Sequence, residues 1–177
     1  MSAALLARTG VTAEEFRAAM AALAAPVTVV TCYDEYGTPR GLTASAVSSL
    51  SLDPPLFLVC LDRKSSSHDA LVGASSFCVN LLAPGDEELA LKFAGRPDRR
   101  FDGVRLAAGE DAAPGLSDSA LRLMCERHET LDGGDHTILV GRVVSVDGDG
   151  LGLTPAGGLL WHQRGFAYAR PVPRPGA

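Results

Sequence analysis

Two stretches of the chain carry the side chains best suited to chemistry. Asp62-Arg-Lys-Ser-Ser-Ser67 follows an apolar run and precedes a short helical pattern. Its hydroxyls, its backbone N–H groups and the charges of Arg63 and Lys64 therefore fall together at a helix start. That combination suits a phosphate; it equally suits a solvated turn with an ordinary serine cap. Upstream, Thr43 to Ser51 (TASAVSSLS) is built of small and hydroxylated residues. Such a strand gives up core volume, as it must wherever something flat approaches the backbone and meets exposed N–H, C=O and hydroxyl groups. The alternative is an amphipathic strand with a solvent-facing Ser/Thr side. Taken jointly, a strand able to hold a ring beside a turn able to hold a phosphate points to a phosphorylated aromatic ligand.

Other constellations carry less. Gly148-Asp-Gly-Leu-Gly152 lacks Gly-x-Gly-x-x-Gly spacing, and Pro155 leaves no helix start to face a pyrophosphate, so it reads as a hairpin turn. Cys125, His128, Asp135 and His136 have metal-ligating side chains, but Cys125 and His128 stand three apart on one predicted strand and so face opposite ways. No metal site is expected. Nothing resembles the Gly-x-Ser-x-Gly nucleophile elbow.

These stretches must be positioned by a mainly β chain. Thr12 and Glu15 form a capping-box pattern ahead of Phe16, Met20 and Leu23 at helical spacing, and Pro26 is expected to end that helix. Val27–Tyr33, Gly41–Ser51, Leu56–Leu61 and Phe77–Leu82 read as strands, with turns at Asp34–Gly37 and Asp53–Pro55. His68–Ala74 and Asp86–Phe93 read as short helices, the first with a serine cap. Residues 94–118 are rich in glycine, proline and charge and read as an irregular excursion with one short strand near Val104. Alternation in Leu121–Cys125 and Ile138–Val146 around Asp132-Gly-Gly134 predicts an antiparallel hairpin, and Leu159–Trp161 a last strand. Strands without sustained βαβ alternation imply a closed antiparallel barrel with helical decorations.

Composition bounds the rest. With 177 residues, 46% of them hydrophobic, the chain can bury a core, and one domain is expected at residues 12–168, with a leader at 1–11 and a loose tail at 169–177. A net charge of −5 lacks the basic footprint of a nucleic-acid binder. No apolar run reaches the roughly 18 residues of a membrane span, and the start lacks the basic and apolar regions of a signal peptide. Cys32, Cys60, Cys78 and Cys125 are widely spaced in apolar stretches, as reduced buried thiols are. A cytoplasmic protein is expected.

Thr43-Ala-Ser-Ala-Val-Ser-Ser-Leu-Ser-Leu-Asp-Pro-Pro55, followed by Val59-Cys-Leu-Asp-Arg-Lys-Ser-Ser-Ser-His68, resembles the flavin reductase family of the FMN-binding split barrel. Phe77-Cys-Val-Asn80, Phe93-Ala-Gly95, Arg100-Phe-Asp-Gly103 and Gly134-Asp-His-Thr-Ile138 extend the likeness over residues 14–168. The resemblance implies a Greek-key split β-barrel of about six antiparallel strands, a homodimer with flavin near the subunit interface, and service as the reductase of a two-component monooxygenase. It assigns the flavin ring to Thr43, Ala44, Ser45 and Ala46, and the ribityl-phosphate to Cys60, Leu61, Asp62, Arg63, Ser65 and Ser67, with Arg100 assisting. Ser48 and Phe93 join the flavin site on the same ground. His136 is similar to a histidine near flavin and nicotinamide, and so is the catalytic candidate; on its residues alone it reads as a satisfied strand histidine. The implied reaction is hydride transfer from NADH or NADPH to FMN, with FAD as the alternative flavin. A non-catalytic FMN-binding carrier and a flavin-free interaction barrel are the competing readings. The chain departs from the family pattern at Pro26 (commonly glycine), Ala46 (serine or asparagine) and Trp161 (tyrosine).

Overall fold

The structure, a computed structural model, describes residues 10–109, 112–148 and 157–170. Helix α1 (Ala13–Ala21) opens with the predicted capping box: Thr12 Oγ1 accepts the Glu15 N–H, and the Glu15 carboxylate accepts the Thr12 N–H at 2.8 Å. The helix stops at Ala21, short of Pro26, which lies instead in the two-residue strand β1 (Ala25–Pro26).

The strands that follow are β2 (Thr28–Tyr33), β3 (Pro39–Ala44), β4 (Val47–Leu52) and β5 (Pro55–Asp62). Helix α2 (His68–Gly73), strand β6 (Ser76–Leu81) and helix α3 (Glu87–Ala94) come next. Two long strands, β7 (Leu121–Gly133) and β8 (His136–Gly148), precede the short pair β9 (Leu159–His162) and β10 (Gly165–Tyr168). Seven strands form one antiparallel sheet in the order β3-β2-β6-β7-β8-β5-β4, and β1-β9-β10 form a three-stranded sheet beside it. The mainly β barrel reading holds, with seven strands in the main sheet where about six were expected.

The Gly41–Ser51 run is two strands, not one. Its halves, β3 and β4, are the opposite ends of the seven-stranded order, joined only by Ser45 and Ala46. Ala44 and Val47 are three Cα steps apart, about 11 Å at most, so the sheet must curl until its two edges almost meet. On the two sides of the seam, Thr28 Oγ1 donates to the Ala44 carbonyl at 2.8 Å, within the β2–β3 pair, and the Cys60 N–H of β5 donates to the Ala46 carbonyl at 2.8 Å.

Strand β2 is buried on both faces, and its two-residue period sorts its side chains between two cores. Val30 and Cys32 join Leu42, Val59, Leu61, Leu71, Phe77, Val79, Cys125 and Leu139 inside the curled sheet. Val29 joins Leu82, Ala90, Phe93, Leu116 and Leu159 beneath α3. The predicted irregular excursion contains a short 3-10 turn at Pro97–Arg99 and a single bridge, Leu106 to Leu116, in place of a strand near Val104. Buried polar groups hold it: Thr31 Oγ1 donates to Pro114 O at 2.6 Å, and Asn80 Oδ1 accepts the Leu116 N–H at 2.8 Å.

The long hairpin turns at Gly134–Asp135, one residue beyond the predicted Asp132–Gly134, since β7 runs on to Gly133. The β9–β10 hairpin has no mark in the sequence because Gln163-Arg164 carries no turn residue, although both adopt positive φ (51° and 63°) in a two-residue loop. The Gly148–Gly152 turn beyond Gly148, the leader before Gly10 and the tail from Pro171 lie outside the described residues. None of the four cysteines is in a disulfide, and burial pushes the Cys32 and Cys125 thiols up to about 12.

Candidate functional site

The seam at Ser45–Ala46 stands beside the turn that ends β5. Ser45 is half-buried, Ala46 is exposed, and the Ser45 hydroxyl has no partner among the described residues. The register places Asp62 opposite His136 and Cys60 opposite Ile138 on β8, on one face of the strand pair. The intervening pair, Leu61 and Thr137, points the other way: Leu61 is fully buried in the core. Thr43 donates its hydroxyl to Ala90 O of α3 at 2.6 Å, and Ala44 is buried. Leu61 and Ala44 therefore offer a ligand their backbone only. Ser48 lies on the opposite face of β4 from the core-packed Val47, and its hydroxyl donates to Ser49 O at 3.0 Å.

The turn is more self-contained than its sequence implies. The N–H groups of Arg63, Lys64, Ser65, Ser67 and His68 already donate, to Asp135 O (3.1 Å), Asp62 Oδ1 (2.8 Å), Asp62 O (2.9 Å), Ser65 Oγ (3.3 Å) and Ser65 O (3.0 Å). The Ser66 N–H has no such acceptor among the described residues. Arg63 is paired with Asp132, and Asp62 and Asp135 stand nearby, so the local positive charge read from Arg63 and Lys64 is largely compensated. Hydrogen bonding from His136 Nδ1 at 2.7 Å, helped by the more distant Lys64 ammonium, holds the Asp135 carboxyl below its usual range. Ser67 does not cap α2 with its side chain. It is 3% exposed, and its hydroxyl donates to Gly41 O at 2.9 Å.

A further cation reaches the turn from Arg100, distant in sequence and 8% exposed. Its Nη1 donates to Gly41 O (2.8 Å) and Ser67 Oγ (3.0 Å), and Nε and Nη2 donate to Gly95 O at 3.3 and 3.0 Å, the open C-terminal end of α3. All these acceptors are neutral. No carboxylate pairs with Arg100 among the described residues, and one of its five N–H groups remains without an acceptor there. Desolvation lowers its pKa. A buried guanidinium without a counter-ion is costly unless an anion joins it, and a phosphate oxygen fits both its charge and its free donor.

Phe93, expected at the flavin site, is fully buried and stacked edge-on to Phe101 with ring centroids 5.0 Å apart. It backs β3 instead. A Cβ at Gly41 would lie 3.1 Å from Phe93 Cε1 and 2.9 Å from both Val30 O and Thr31 Cγ2, so only glycine lets β3 sit so close. The resulting Gly41 carbonyl receives both Ser67 and Arg100, locking strand, turn and helix end together. Residue types alone did not mark Gly41, Asp132 or Thr137; only the register brings them to this place. Cys125 and His128 do face opposite ways, core and solvent, and among the described residues no group of three His, Cys, Asp or Glu side chains could hold a metal.

Comparison with known proteins identifies the family of the chain. Residues 20–170 match the family described as flavin reductase like domain. The chain is 38% identical to NADH:riboflavin 5'-phosphate oxidoreductase of Streptomyces pristinaespiralis, over 94% of this chain and 93% of that protein. It is 39% identical to a Rhizobium meliloti (strain 1021) protein named "Probable flavin reductase", over 76% of this chain, and spans 43% of that longer protein. Among solved structures, the Streptomyces globisporus C-1027 NADH:FAD oxidoreductase SgcE6, in complex with NAD and FAD fragments, superimposes with a TM-score of 0.78 and 33% identity. That superposition covers 89% of this chain and 93% of the other. Since the matched segment runs from the last turn of α1 to the end of β10 and contains every strand that builds the seam and the turn, the chain belongs to the flavin reductase like domain family.

Proposed function

We propose that this chain is an NAD(P)H-dependent flavin reductase that binds FMN at the seam and releases it reduced to a separate monooxygenase. The observation that supports this most directly is Arg100, a buried cation without a carboxylate, hydrogen-bonded to Ser67 of the turn that follows the seam. Ser65, Ser66 and Lys64 would complete the phosphate contacts, and Ser45 with the backbone of Ala44–Ala46 would take the ring's polar edge. A bound flavin supplies the redox chemistry, accepting hydride at N5 from nicotinamide C4. The chain's own residues hold two planar rings in register and keep the seam narrow. His136, 37% exposed in its side chain and tethered to Asp135, stands where it can donate a hydrogen bond to the reacting pair. One anion-suited turn favours FMN over FAD.

NADH and NADPH oxidation with added FMN, FAD and riboflavin tests the reading. Turnover is expected with FMN, and riboflavin, lacking the phosphate, is expected to bind about 10-fold more weakly, equivalent to ~1.4 kcal/mol. Equal affinity for riboflavin and FMN would remove Arg100 from the site, and flavin binding without turnover would leave a carrier.

A second copy of the chain is the proposed partner. Helix α1 has no buried residue, and its Phe16 and Met20, with Leu23 just beyond its C-cap, are 54%, 46% and 63% exposed. A nine-residue helix is marginal alone and needs its apolar face covered. Phe16→Glu combined with Met20→Glu is expected to convert a dimer into a monomer by light scattering at micromolar concentration. A monomeric wild-type chain would refute the assignment. Among the described residues no helix is long and apolar enough to cross a membrane; the cytoplasm is the proposed location because the four cysteines form no disulfide, as in a reducing compartment.

A further inference from the structure

We propose that His68 is a positioning residue that sets the place of His136; the inference rests on the reading of His136 as the group that meets the reacting rings. His68 begins α2 and lies on the face of the β5–β8 pair opposite His136. Its Nε2 is 2.9 Å from Thr137 Oγ1, and its Nδ1 is 2.8 Å from Asp69 Oδ1. The imidazole side chain is only 14% exposed. The Asp69 carboxylate can only accept, so Nδ1 carries the proton of that bond, and Nε2 shares the second bond with the Thr137 hydroxyl, a group able to donate or accept.

The position of this bond gives it a role. His136 is the first residue of β8, at the end of a hairpin whose tip, residues 131–135, is exposed throughout. A tip of that kind frays unless something outside the hairpin holds it. Two tethers bracket His136. The Asp135 carbonyl accepts the Arg63 N–H at 3.1 Å on one side, and the Thr137 hydroxyl meets His68 on the other. Both tethers come from residues 62–69, the segment whose Ser67 is fixed by Arg100. The imidazole of His136 is thereby referenced to the proposed phosphate turn and not merely to its own strand. Loss of the His68 tether frees one side of His136 while leaving the flavin contacts of the turn in place. Displacements well under the width of an atom at a reacting centre cost rate far more than they cost binding.

A double-mutant cycle on the full chain, assayed with NADH and FMN, tests this. His68→Ala is expected to lower kcat about 10-fold, with the Kd for FMN changed less than about 2-fold. His68→Gln, whose amide can still reach Thr137, is expected to recover most of the lost kcat. In a His136→Ala background, His68→Ala is expected to change kcat less than about 2-fold, because the residue it positions is gone. A full 10-fold loss in that background would overturn the inference and make His68 a general structural residue. An unchanged kcat in His68→Ala would overturn it also. If His136→Ala alone leaves kcat unaltered, the fault lies in the underlying assignment of His136, and the inference falls with it.

Discussion

Ser45→Tyr is expected to weaken FMN binding about 100-fold or more, a change of roughly 2.8 kcal/mol, while the barrel stays folded. The seam is one residue pair wide, Ser45 and Ala46, between the two ends of the sheet. A phenol ring there occupies the space a planar ligand would need. The fold tolerates it because the Ser45 hydroxyl bonds to nothing among the described residues, and Ala46 beside it is exposed. The seam's own bonds, Thr28 Oγ1 to Ala44 O and Cys60 N–H to Ala46 O, do not pass through the Ser45 side chain. Quenching of FMN fluorescence on titration reads the affinity, and thermal unfolding followed by circular dichroism reads the fold. Wild-type affinity in a folded Ser45→Tyr variant would move the flavin away from the seam.

Gly141→Ala is expected to be the most destabilising single-methyl change in the main sheet, at about 3 kcal/mol. At this chain length that corresponds to a drop in Tm of roughly 6–12 °C. A Cβ at this position would run into Phe77 Cζ and lie 2.7 Å from Phe77 Cε1 and 2.8 Å from Cys125 Cβ. Phe77 and Cys125 are both fully buried on strands that flank the core, so neither can swing into solvent. In a close-packed interior the methyl must displace the sheet itself. The remedy follows from the same geometry: Phe77→Leu, which shortens the ring side, should restore part of the loss in the Gly141→Ala background. A Gly141→Ala variant that melts with the wild type would show that the sheet opens there more readily than its packing implies.

Much of the fold was legible because its signals are local. The capping box at Thr12 and Glu15, the alternation of Leu121–Cys125 and Ile138–Val146, and the β-branched run of β2 each reflect forces acting within a few residues. The break at Ser45–Ala46 was not legible. TASAVSS carries no glycine or proline to mark a turn, and its Ser/Thr content is compatible with either one long strand or two. What splits it is the requirement that its halves pair with β2 on one side and β5 on the other. The site's residue list was legible in outline through the family motifs, yet motif membership did not separate residues that face a ligand from those that support them. Phe93 sits in a motif and is core; Ser67 sits in the polar cluster and is committed to Gly41 O.

By itself the sequence determined that this is a mainly β, acidic chain with a small-residue strand followed by a hydroxyl-rich turn, and that its likeness is to flavin reductases. Composition, periodicity and short motifs suffice for that, since each is a property of neighbouring residues. Only the tertiary structure decided which charge is available to an anion. Arg63, the nearest cation in sequence, is compensated by Asp132, 69 residues away, whereas Arg100 reaches Gly41, 59 residues away, and finds neutral acceptors alone. The physical reason is that electrostatic pairing and burial depend on distances in space, and the curled sheet sets those distances after the local elements have formed.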